Sequence, residues 1–374
     1  MPDLLIISHT EHYYDKNKNI VGWEPTIREI NYYTKVFDNI YHIAPLYSKK
    51  PHLATIQYSS QKIRFIPIVP SGGKNIFQKL KIFFLMPIIL FPMLKMINKV
   101  DYVHFRAPTN FGLFLLPILS LYNKKVYWVK YAGNWIQKEV PFSYRIQRWW
   151  LKNLAKNSVV TINGHWHGQK KHLLSFENPC IDEKELKFAN QIANKKVFNK
   201  SINICFIGKQ DQNKGFNNFI ESIFKIRKFN KINEIDIVGD ISDKTYKSKL
   251  KNVNLKIKFH GWLNRSSLNK IYERSHLIIL PTYSEGIPKV IIEASAYGCI
   301  PVVTNLAPIN QYVINGENGL LINFPLEDDL INCILNIEED IYKLNKLSIE
   351  ATKIAQLFTY EKYIIRIKKE IIHA

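Results

Sequence analysis

Two glutamates and two lysines stand at positions where their side chains could act on one ligand. Glu285 and Glu293 are separated by seven residues, and Pro288 lies between them where a helix would begin. A carboxylate just before a helix can accept hydrogen bonds from ligand hydroxyls, and a second one within the helix can hold a vicinal diol. Lys209 and Lys214 would offer positive charge to an anion. The spacing alone is equally compatible with solvated surface carboxylates.

A strand–helix–strand pattern places the two glutamates. The apolar run at 277–280 is stopped by Pro281 and predicts a buried strand. The helix is predicted over 288–298, with Gly298 as its carboxyl-terminal stop. A second apolar run at 300–303 completes the repeating unit of a parallel sheet. Ligands of such sheets bind at the carboxyl ends of the strands, where the loop holding Glu285 lies.

The first turn of this predicted helix adds backbone donors to the loop. Its N–H groups have no partner inside the helix, and the helix dipole favours a negative charge in front of them. The residues that would form this anion site are Gly286, Ile287, Pro288, Lys289 and Val290.

The two lysines have a similar setting. An apolar strand at 203–207 ends at Gly208, and residues 209–215 read K-Q-D-Q-N-K-G before a predicted helix over 216–227. Two lysines mean little in a chain this rich in lysine. Between a strand end and a helix start they indicate a site for a diphosphate, because two cations balance both its charge and the charge that grows as a bond to it breaks.

The segment from Glu285 to Val303 reads E-G-x-P-x-x-x-x-E-A-x-A-x-G-x-P-V-V and resembles the EX7E signature of retaining glycosyltransferases of family 4 with the GT-B fold. The preceding LPTYSEG belongs to the same match. Residues 208–215 fit the G-R/K-x-x-x-x-K-G pattern of that family, and residues 316–321 resemble its N-G-x-x-G hairpin.

The resemblance implies an α/β chain with the GT-B fold, in which two Rossmann-like, doubly wound parallel-sheet domains face each other across a cleft. We expect an acceptor-side domain over 1–180, a linker over 181–200 and a nucleotide-sugar-binding domain over 201–357. We expect a closing helix over 358–374 to cross back to the first domain.

The resemblance also implies roles for the matched residues. Glu285 would hold hydroxyls of the donor sugar and orient its anomeric carbon, and Glu293 would hold the ribose. Lys209 and Lys214 would bind the diphosphate and stabilise the leaving group, beside Gly208. We expect no catalytic metal and no cofactor, and a front-face reaction in which a diphosphate oxygen helps to deprotonate the acceptor.

Other positions match the family less closely. Backbone near Trp262 or Leu263 would contact the base, although Trp262 could simply pack the domain. Gly22 is a candidate in a loop after the first strand, where many relatives have a Gly-Gly pair, and the alternative is an ordinary turn glycine. The pair Gly72-Gly73 comes too late, after a third predicted strand.

The first domain departs from the family at one strand end. Where many relatives have a histidine near the reacting sugar, this chain has Ala132. His104 or Asn134 could take its place, although a strand-end histidine is more often only a satisfied polar residue.

Composition bears on the partners. The 374 residues suffice for two domains. The formal net charge of +21 favours an anionic partner, or it reflects the lysine enrichment of proteins from an AT-rich genome. Residues 76–100 are apolar with interspersed lysines, and 144–158 combine basic residues with tryptophans. Each segment predicts either an interfacial helix or a helix of the domain itself, and no apolar run reaches the roughly 20 residues of a spanning helix.

The four cysteines form no C-x-x-C pair, and the amino terminus has no charged region typical of a signal peptide. We therefore expect a cytoplasmic protein, with peripheral contact to the inner membrane as an open alternative.

The predicted function is a retaining, hexosyltransferase-type glycosyltransferase. It would move a sugar from a UDP- or GDP-linked donor to a glycan or lipid-linked acceptor in capsule, O-antigen or lipopolysaccharide synthesis, without a nucleic-acid partner. A dehydrogenase would need G-x-G-x-x-G after a strand, which the sequence lacks. A non-catalytic basic protein that binds membrane or nucleic acid is the remaining alternative, but it leaves the glutamate and lysine loops unexplained.

Overall fold

The structure is a computed structural model that describes residues 1–71, 76–121, 125–137, 139–155, 157–198, 201–226, 231–240, 255–337 and 341–373. The predicted place of Gly72-Gly73 after the third strand lies outside the described residues. So do Lys156, within the predicted basic helix, and Arg227, at the predicted end of the helix after the lysine loop.

The chain divides into two compact units. Unit 1 comprises Met1–Glu177 and Tyr363–Ala374, and unit 2 comprises Asn178–Lys362. The prediction of a linker over 181–200 was wrong in its main part, because Glu183–Ala193 is a helix of unit 2. Asp182 accepts a hydrogen bond from the Glu185 backbone N–H at 2.7 Å, and the two residues form a capping box. This D-x-x-E pattern is a helix-start signal that the lysine-rich composition obscured.

Unit 1 contains a parallel sheet with a small antiparallel extension. Its strands are β1 (Leu4–Ile7), β2 (His12–Tyr14), β3 (Ile20–Trp23), β4 (Ile40–Tyr47), β5 (Thr55–Gln57), β6 (Ile63–Ile68), β7 (Tyr102–Ala107), β8 (Val126–Tyr131), β9 (Ser158–Ile162) and β10 (Leu173–Ser175), and its first helices are α1 (Glu24–Tyr33), α2 (Ile76–Ile97), α3 (Gly112–Leu121) and α4 (Phe142–Asn153). The parallel strands lie in the order β6-β4-β1-β7-β8-β9-β10. The hairpin of β2 and β3, with β5, extends the end of β4.

Unit 2 contains a six-stranded sheet that is parallel throughout. Its elements are α5 (Glu183–Ala193), β11 (Ile202–Ile207), α6 (Phe216–Lys225), β12 (Ile232–Val238), β13 (Lys256–Gly261), α7 (Arg265–Arg274), β14 (Leu277–Leu280), α8 (Lys289–Ala296), β15 (Ile300–Thr304), β16 (Leu320–Ile322), α9 (Leu326–Ile337), α10 (Ile341–Ala355) and α11 (Tyr360–Ile367), and the last of these continues into unit 1. The strand order is β13-β12-β11-β14-β15-β16. The predicted pair of doubly wound parallel sheets is confirmed.

The winding of both sheets reverses beside their first strand. In unit 2 the chain proceeds from β11 towards β12 and β13 on one side, and towards β14, β15 and β16 on the other. In unit 1 the same reversal lies between β1 and β7. At such a reversal, the loops after two neighbouring strands run to opposite sides of the sheet. They leave a crevice at the carboxyl edge, and ligands of these folds bind there.

The central strand β14 is apolar on both faces because helices cover both sides of a parallel sheet. All four residues of β14 are at most 1% exposed. The carboxyl-terminal segment, predicted as one helix from 358, instead comprises a 3-10 turn (Gln356–Phe358), α11 and a π-helical turn (Lys368–Ile372). Within the described part of the chain, no helix has both the length and the apolar character needed to cross a membrane.

Candidate functional site

Lys214 and Glu285 meet at the winding reversal of unit 2. Lys214 lies in the loop after β11 and Glu285 in the loop after β14, and these two strands are hydrogen-bonded neighbours. The Lys214 ammonium forms an ion pair with the Glu285 carboxylate. Their side chains remain 23% and 19% exposed, so a ligand can reach both. The structure thus brings together two residues that the sequence places 71 positions apart.

Backbone contacts lock these two loops together. The carbonyl oxygen of Asn213 accepts hydrogen bonds from the Tyr283 N–H and from the Thr282 hydroxyl, each at 2.9 Å. Gly215 has a φ of +69°, and a Cβ atom on it would lie 1.7 Å from the Pro281 carbonyl oxygen. Only glycine permits this approach, so the glutamate loop can pack against the lysine loop only if the residue after Lys214 is a glycine.

The substitution Gly215→Ala is therefore expected to destabilise unit 2 and to displace the Lys214 side chain. The positive φ alone costs about 1–2 kcal/mol, and the overlap with the Pro281 carbonyl adds to that cost. Gly316→Ala is the matched control, because Gly316 has a φ of +75° but no atom within 4 Å of its Cβ position. Urea unfolding of both variants separates the two effects, and equal losses would show that the close approach is unimportant.

Lys209 and Gly208 lie at the end of β11 but differ in their surroundings. The Lys209 side chain is 63% exposed, and its ammonium lies 3.1 Å from the Asp211 carboxylate. Asp211 also accepts from the Lys214 N–H at 3.1 Å, which fixes the turn between the two lysines. Gly239, after β12, packs so closely on Gly208 that a Cβ on Gly239 would lie 1.9 Å from the Gly208 carbonyl oxygen.

Glu293 is held by two residues that the sequence analysis missed. One carboxylate oxygen lies 2.6 Å from an Nη atom of Arg265, and the other accepts from the Tyr272 hydroxyl at 3.0 Å. Burial lowers the pKa of Arg265, but Glu293 and Glu185 outweigh it, and the pKa lies well above its usual value. A carboxylate has about four acceptor positions, so Glu293, which is 7% exposed, keeps acceptor positions beyond those that Arg265 and Tyr272 occupy.

The helix start after the glutamate loop is close to its predicted position. Helix α8 begins at Lys289, and Pro288 is its N-cap residue with a φ of −65°. Proline provides no side-chain acceptor, and no side-chain cap is present. The amino-terminal end of α8 therefore presents a backbone donor at Val290, after a loop in which Glu285, Gly286 and Ile287 precede Pro288.

The remaining predicted contacts occupy other places. Trp262 and Leu263 follow β13, at the same carboxyl edge as Gly208 but two strands away, and Leu263 packs partly against the core. Gly22 is in unit 1 and lies within β3, so the prediction of a loop there was wrong. A Cβ on Gly22 would lie 2.6 Å from Nε2 of His12, and strand packing explains this glycine.

The carboxyl edge of the unit 1 sheet shows which histidine is accessible. His104 is fully buried and its ring stacks on Trp128 at 3.7 Å, so the hypothesis that it contacts a sugar was wrong. Asn134 caps its own turn by accepting from the Ile136 N–H. His9, missed by the sequence analysis, is exposed directly after β1. The pKa of His9 is lowered, first because the surrounding protein removes water from its ring and second because of the positive charge of Arg106 at the end of β7.

A buried ionic cluster holds Arg106 at this edge. Glu29 of α1 accepts from Arg106 at 2.7 Å, from the Lys130 ammonium at 2.6 Å and from the Tyr33 hydroxyl at 2.6 Å. Arg106 and Lys130 are register partners on β7 and β8. No local sequence signal joins these residues, because Glu29 is 77 and 101 positions away from its two cationic partners.

Comparison with known proteins adds independent information. Residues 187–354 match the sequence model of the family described as Glycosyl transferases group 1. A 41.2 kDa protein of the cps region of Klebsiella pneumoniae is 24% identical over 285 residues, which are 71% of this chain and 75% of that protein. CapM of Staphylococcus aureus, a capsular polysaccharide biosynthesis glycosyltransferase, is 26% identical over 177 residues, which are 46% of this chain and 43% of CapM.

The fold is shared with solved structures over the whole chain. HepE of Anabaena, determined in complex with UDP and glucose, superposes with a TM-score of 0.69 at 14% identity, covering 100% of both chains. The architecture of these structural neighbours is the GT-B fold.

Proposed function

From the match of residues 187–354 to the glycosyl transferases group 1 family, and from the GT-B fold, we propose that this protein is a glycosyltransferase that moves a sugar, with retention of configuration, from a UDP- or GDP-linked donor. The acceptor in this proposal is a glycan or a lipid-linked glycan of a bacterial surface polysaccharide. The similarity to CapM, named for capsular polysaccharide biosynthesis, supports the pathway. HepE, with UDP and glucose in its structure, supports a nucleotide-sugar donor.

The Lys214–Glu285 ion pair at the winding reversal carries this proposal. A diphosphate placed against Lys214 and the first-turn amides of α8 would have its negative charge balanced without a metal ion. The anomeric bond then breaks towards the diphosphate, and Lys214 stabilises the oxygen that leaves. Glu285, freed from Lys214 by the incoming phosphate, accepts hydrogen bonds from the sugar hydroxyls and fixes the anomeric carbon.

Glu293 completes the donor site in this proposal. Arg265 and Tyr272 fix its carboxylate, so it can accept from both ribose hydroxyls without reorganising. The acceptor hydroxyl attacks on the face that the diphosphate leaves, and its proton passes to a diphosphate oxygen. This sequence of events retains the anomeric configuration.

Binding and slow hydrolysis of a panel of UDP- and GDP-sugars test the function directly. We expect one donor to be selected, its released sugar to keep the anomeric configuration when followed by NMR, and Glu293→Ala to weaken its binding. An inverted product would contradict the retaining mechanism. Binding of anionic vesicles without binding of any nucleotide sugar would instead favour the non-catalytic alternative.

A peripheral membrane contact is the second part of the proposal. The inner side of α2 is buried in the core of unit 1, with Met86 and Ile89 at most 4% exposed. Its outer side carries Phe84, Ile88 and Phe91, which are 83%, 59% and 69% exposed and follow one another at helical spacing. So much exposed aromatic surface in a chain of charge +21 fits the headgroup region of an anionic membrane.

Replacing Phe84 and Phe91 together by serine is expected to reduce binding to vesicles containing phosphatidylglycerol by at least tenfold. Each phenylalanine contributes about 1.5–3 kcal/mol when fully buried, so the double change exceeds the 1.4 kcal/mol of a tenfold effect. Phe188→Ser is the control, because Phe188 is 50% exposed on α5 of unit 2. Cosedimentation measures all three proteins, and undiminished binding by the double variant would exclude α2 as the contact.

A further inference from the structure

Two exposed aromatic rings lie beside the glutamate loop of unit 2. Tyr283 follows β14 and is 39% exposed, and Phe324 follows β16 and is 56% exposed. Their ring centroids are 5.5 Å apart, and the ring planes are inclined by 46°. The Tyr283 hydroxyl donates a hydrogen bond to Asn218 at 3.1 Å. We call this pair the aromatic platform.

The aromatic platform forms one side of an open cavity of about 590 Å³. This volume lies within the range of small-ligand sites. Other lining residues include Asn218, Lys225, Glu327 and Asp328. The Lys225 ammonium lies 2.6 Å from Glu327, so the lining offers two carboxylates against one paired cation. An anionic ligand such as a phosphate is disfavoured by this charge balance.

Side-chain amides continue the same edge of the sheet. Asn305, after β15, donates to Asn323 at 3.0 Å, and Asn310 donates to Asn305 at 2.9 Å. All three side chains are exposed. Amides and carboxylates both accept from hydroxyls, and amides also donate to them. The surface next to the aromatic platform is therefore rich in partners for a polyhydroxylated ligand.

We propose that the aromatic platform, with the adjoining amides and carboxylates, is a subsite for an uncharged sugar residue of the acceptor glycan. The negatively charged face of an aromatic ring complements the weakly positive C–H groups on one face of a sugar ring. The hydroxyls at the sugar's rim then meet the polar lining. This inference rests on the proposed function and extends it, because Tyr283 is only two residues from Glu285, the residue assigned to the donor sugar.

Saturation-transfer NMR on the full chain tests the subsite with methyl glycosides of glucose, galactose, N-acetylglucosamine and N-acetylgalactosamine. At least one of them is expected to bind with a dissociation constant in the millimolar range. Phe324→Ala is expected to weaken that binding by about threefold to tenfold, which corresponds to the loss of one aromatic contact. Tyr283→Phe keeps both rings and should bind as the wild type does within about a factor of two.

Phe188→Ala, a change of an exposed phenylalanine on α5, is the matched control and should leave binding unchanged. Thermal unfolding of each variant shows that the exposed substitutions preserve the fold. No binding of any glycoside at about 10 mM, or equal binding by Phe324→Ala, would overturn the proposal. Methyl glucuronide binding as tightly as the neutral glycosides would also overturn it, since the acidic lining should repel that ligand.

Donor binding is measured separately with the UDP- and GDP-sugar panel. Unchanged donor binding by Phe324→Ala, together with weakened glycoside binding, supports a subsite distinct from the donor site. An equal loss of donor binding would show that Phe324 only supports the glutamate loop. The protein could also bind a glycoside in a Phe324-dependent way and yet bind no nucleotide sugar. That result would contradict the proposed function but would support the sugar subsite.

Discussion

Lys214→Ala is expected to lower kcat/KM for the nucleotide sugar by about a hundredfold to a thousandfold. Loss of one preorganised group that stabilises developing charge costs about 2.7–4 kcal/mol of transition-state stabilisation. Lys214 is the cation held at the winding reversal, and its side chain is only 23% exposed, so water compensates poorly for its removal. Lys209→Ala should cost only about fivefold, because the Lys209 side chain is 63% exposed and hydrated.

A double-mutant cycle with Glu285→Gln tests whether the pair acts as a unit. Because each residue positions the other in the free protein, the combined loss should be smaller than the sum of the two separate losses. Lys353→Ala is the matched control, since Lys353 is an ion-paired lysine on α10 with a 60% exposed side chain. Steady-state hydrolysis of the selected donor provides the measurement. A loss below tenfold for Lys214→Ala would contradict its role at the leaving group.

The free energy of unfolding is expected to fall steeply as the pH drops from 6.5 to about 4. The cause is a buried chain of hydrogen bonds in unit 1 in which both histidines must be neutral. His12 and His42 are fully buried, and both lie 2.7 Å from the Tyr58 hydroxyl oxygen. His42 also contacts Ser8 Oγ at 2.8 Å, and His12 contacts the Thr10 carbonyl oxygen at 2.8 Å.

The Thr10 carbonyl fixes the direction of every bond in this chain. A carbonyl only accepts, so Nδ1 of His12 donates to it and Nε2 of His12 accepts from the Tyr58 hydroxyl. The Tyr58 oxygen then accepts from Nδ1 of His42, and Nε2 of His42 accepts from Ser8. A proton added to either ring would turn its acceptor nitrogen into a donor, so the facing hydroxyl would have to rotate and give up the hydrogen bond that it donates.

Burial lowers the pKa of His12 from 6.5 to about 4, and burial followed by the charge of His12 lowers that of His42. Below pH 6.5 the unfolded chain binds a proton that folded His12 refuses until about pH 4. The contribution of neutral His12 to the free energy of unfolding is therefore fully present above pH 6.5 and is lost as the pH falls from 6.5 to about 4. The shift of His12 alone corresponds to about 3 kcal/mol at 1.36 kcal/mol per pKa unit.

Urea unfolding at several pH values between 7.5 and 4, followed by the fluorescence of unit 1, measures this loss. His12→Gln should be less stable at neutral pH but should show a shallower dependence on pH, because one proton-linked group is gone. His167→Gln is the control, since His167 is exposed in the same unit. Equal pH dependence in the wild type and His12→Gln would contradict the assignment of the loss to this chain of hydrogen bonds.

The sequence by itself determined the parallel sheets and the loops at their carboxyl edges. Apolar runs such as 277–280 end in Pro281 or a glycine, and strand, loop and helix repeat from there, so local patterns were sufficient. The lysine and glutamate loops could be recognised for the same reason. Each carries its residue types within a few positions of a strand end, and strand ends of one parallel sheet share an edge.

Only the tertiary structure decided which side chains meet. The pairing of Lys214 with Glu285, and of Glu293 with Arg265, depends on strand order, which no local pattern encodes. The position of Gly22 also depended on the tertiary structure. The surrounding sequence suggested a loop, but Gly22 lies in β3, where the absence of a side chain makes room for His12 of the neighbouring strand. Such contacts join residues that are far apart in the chain, and they form only when burial of the apolar faces has fixed the position of every strand.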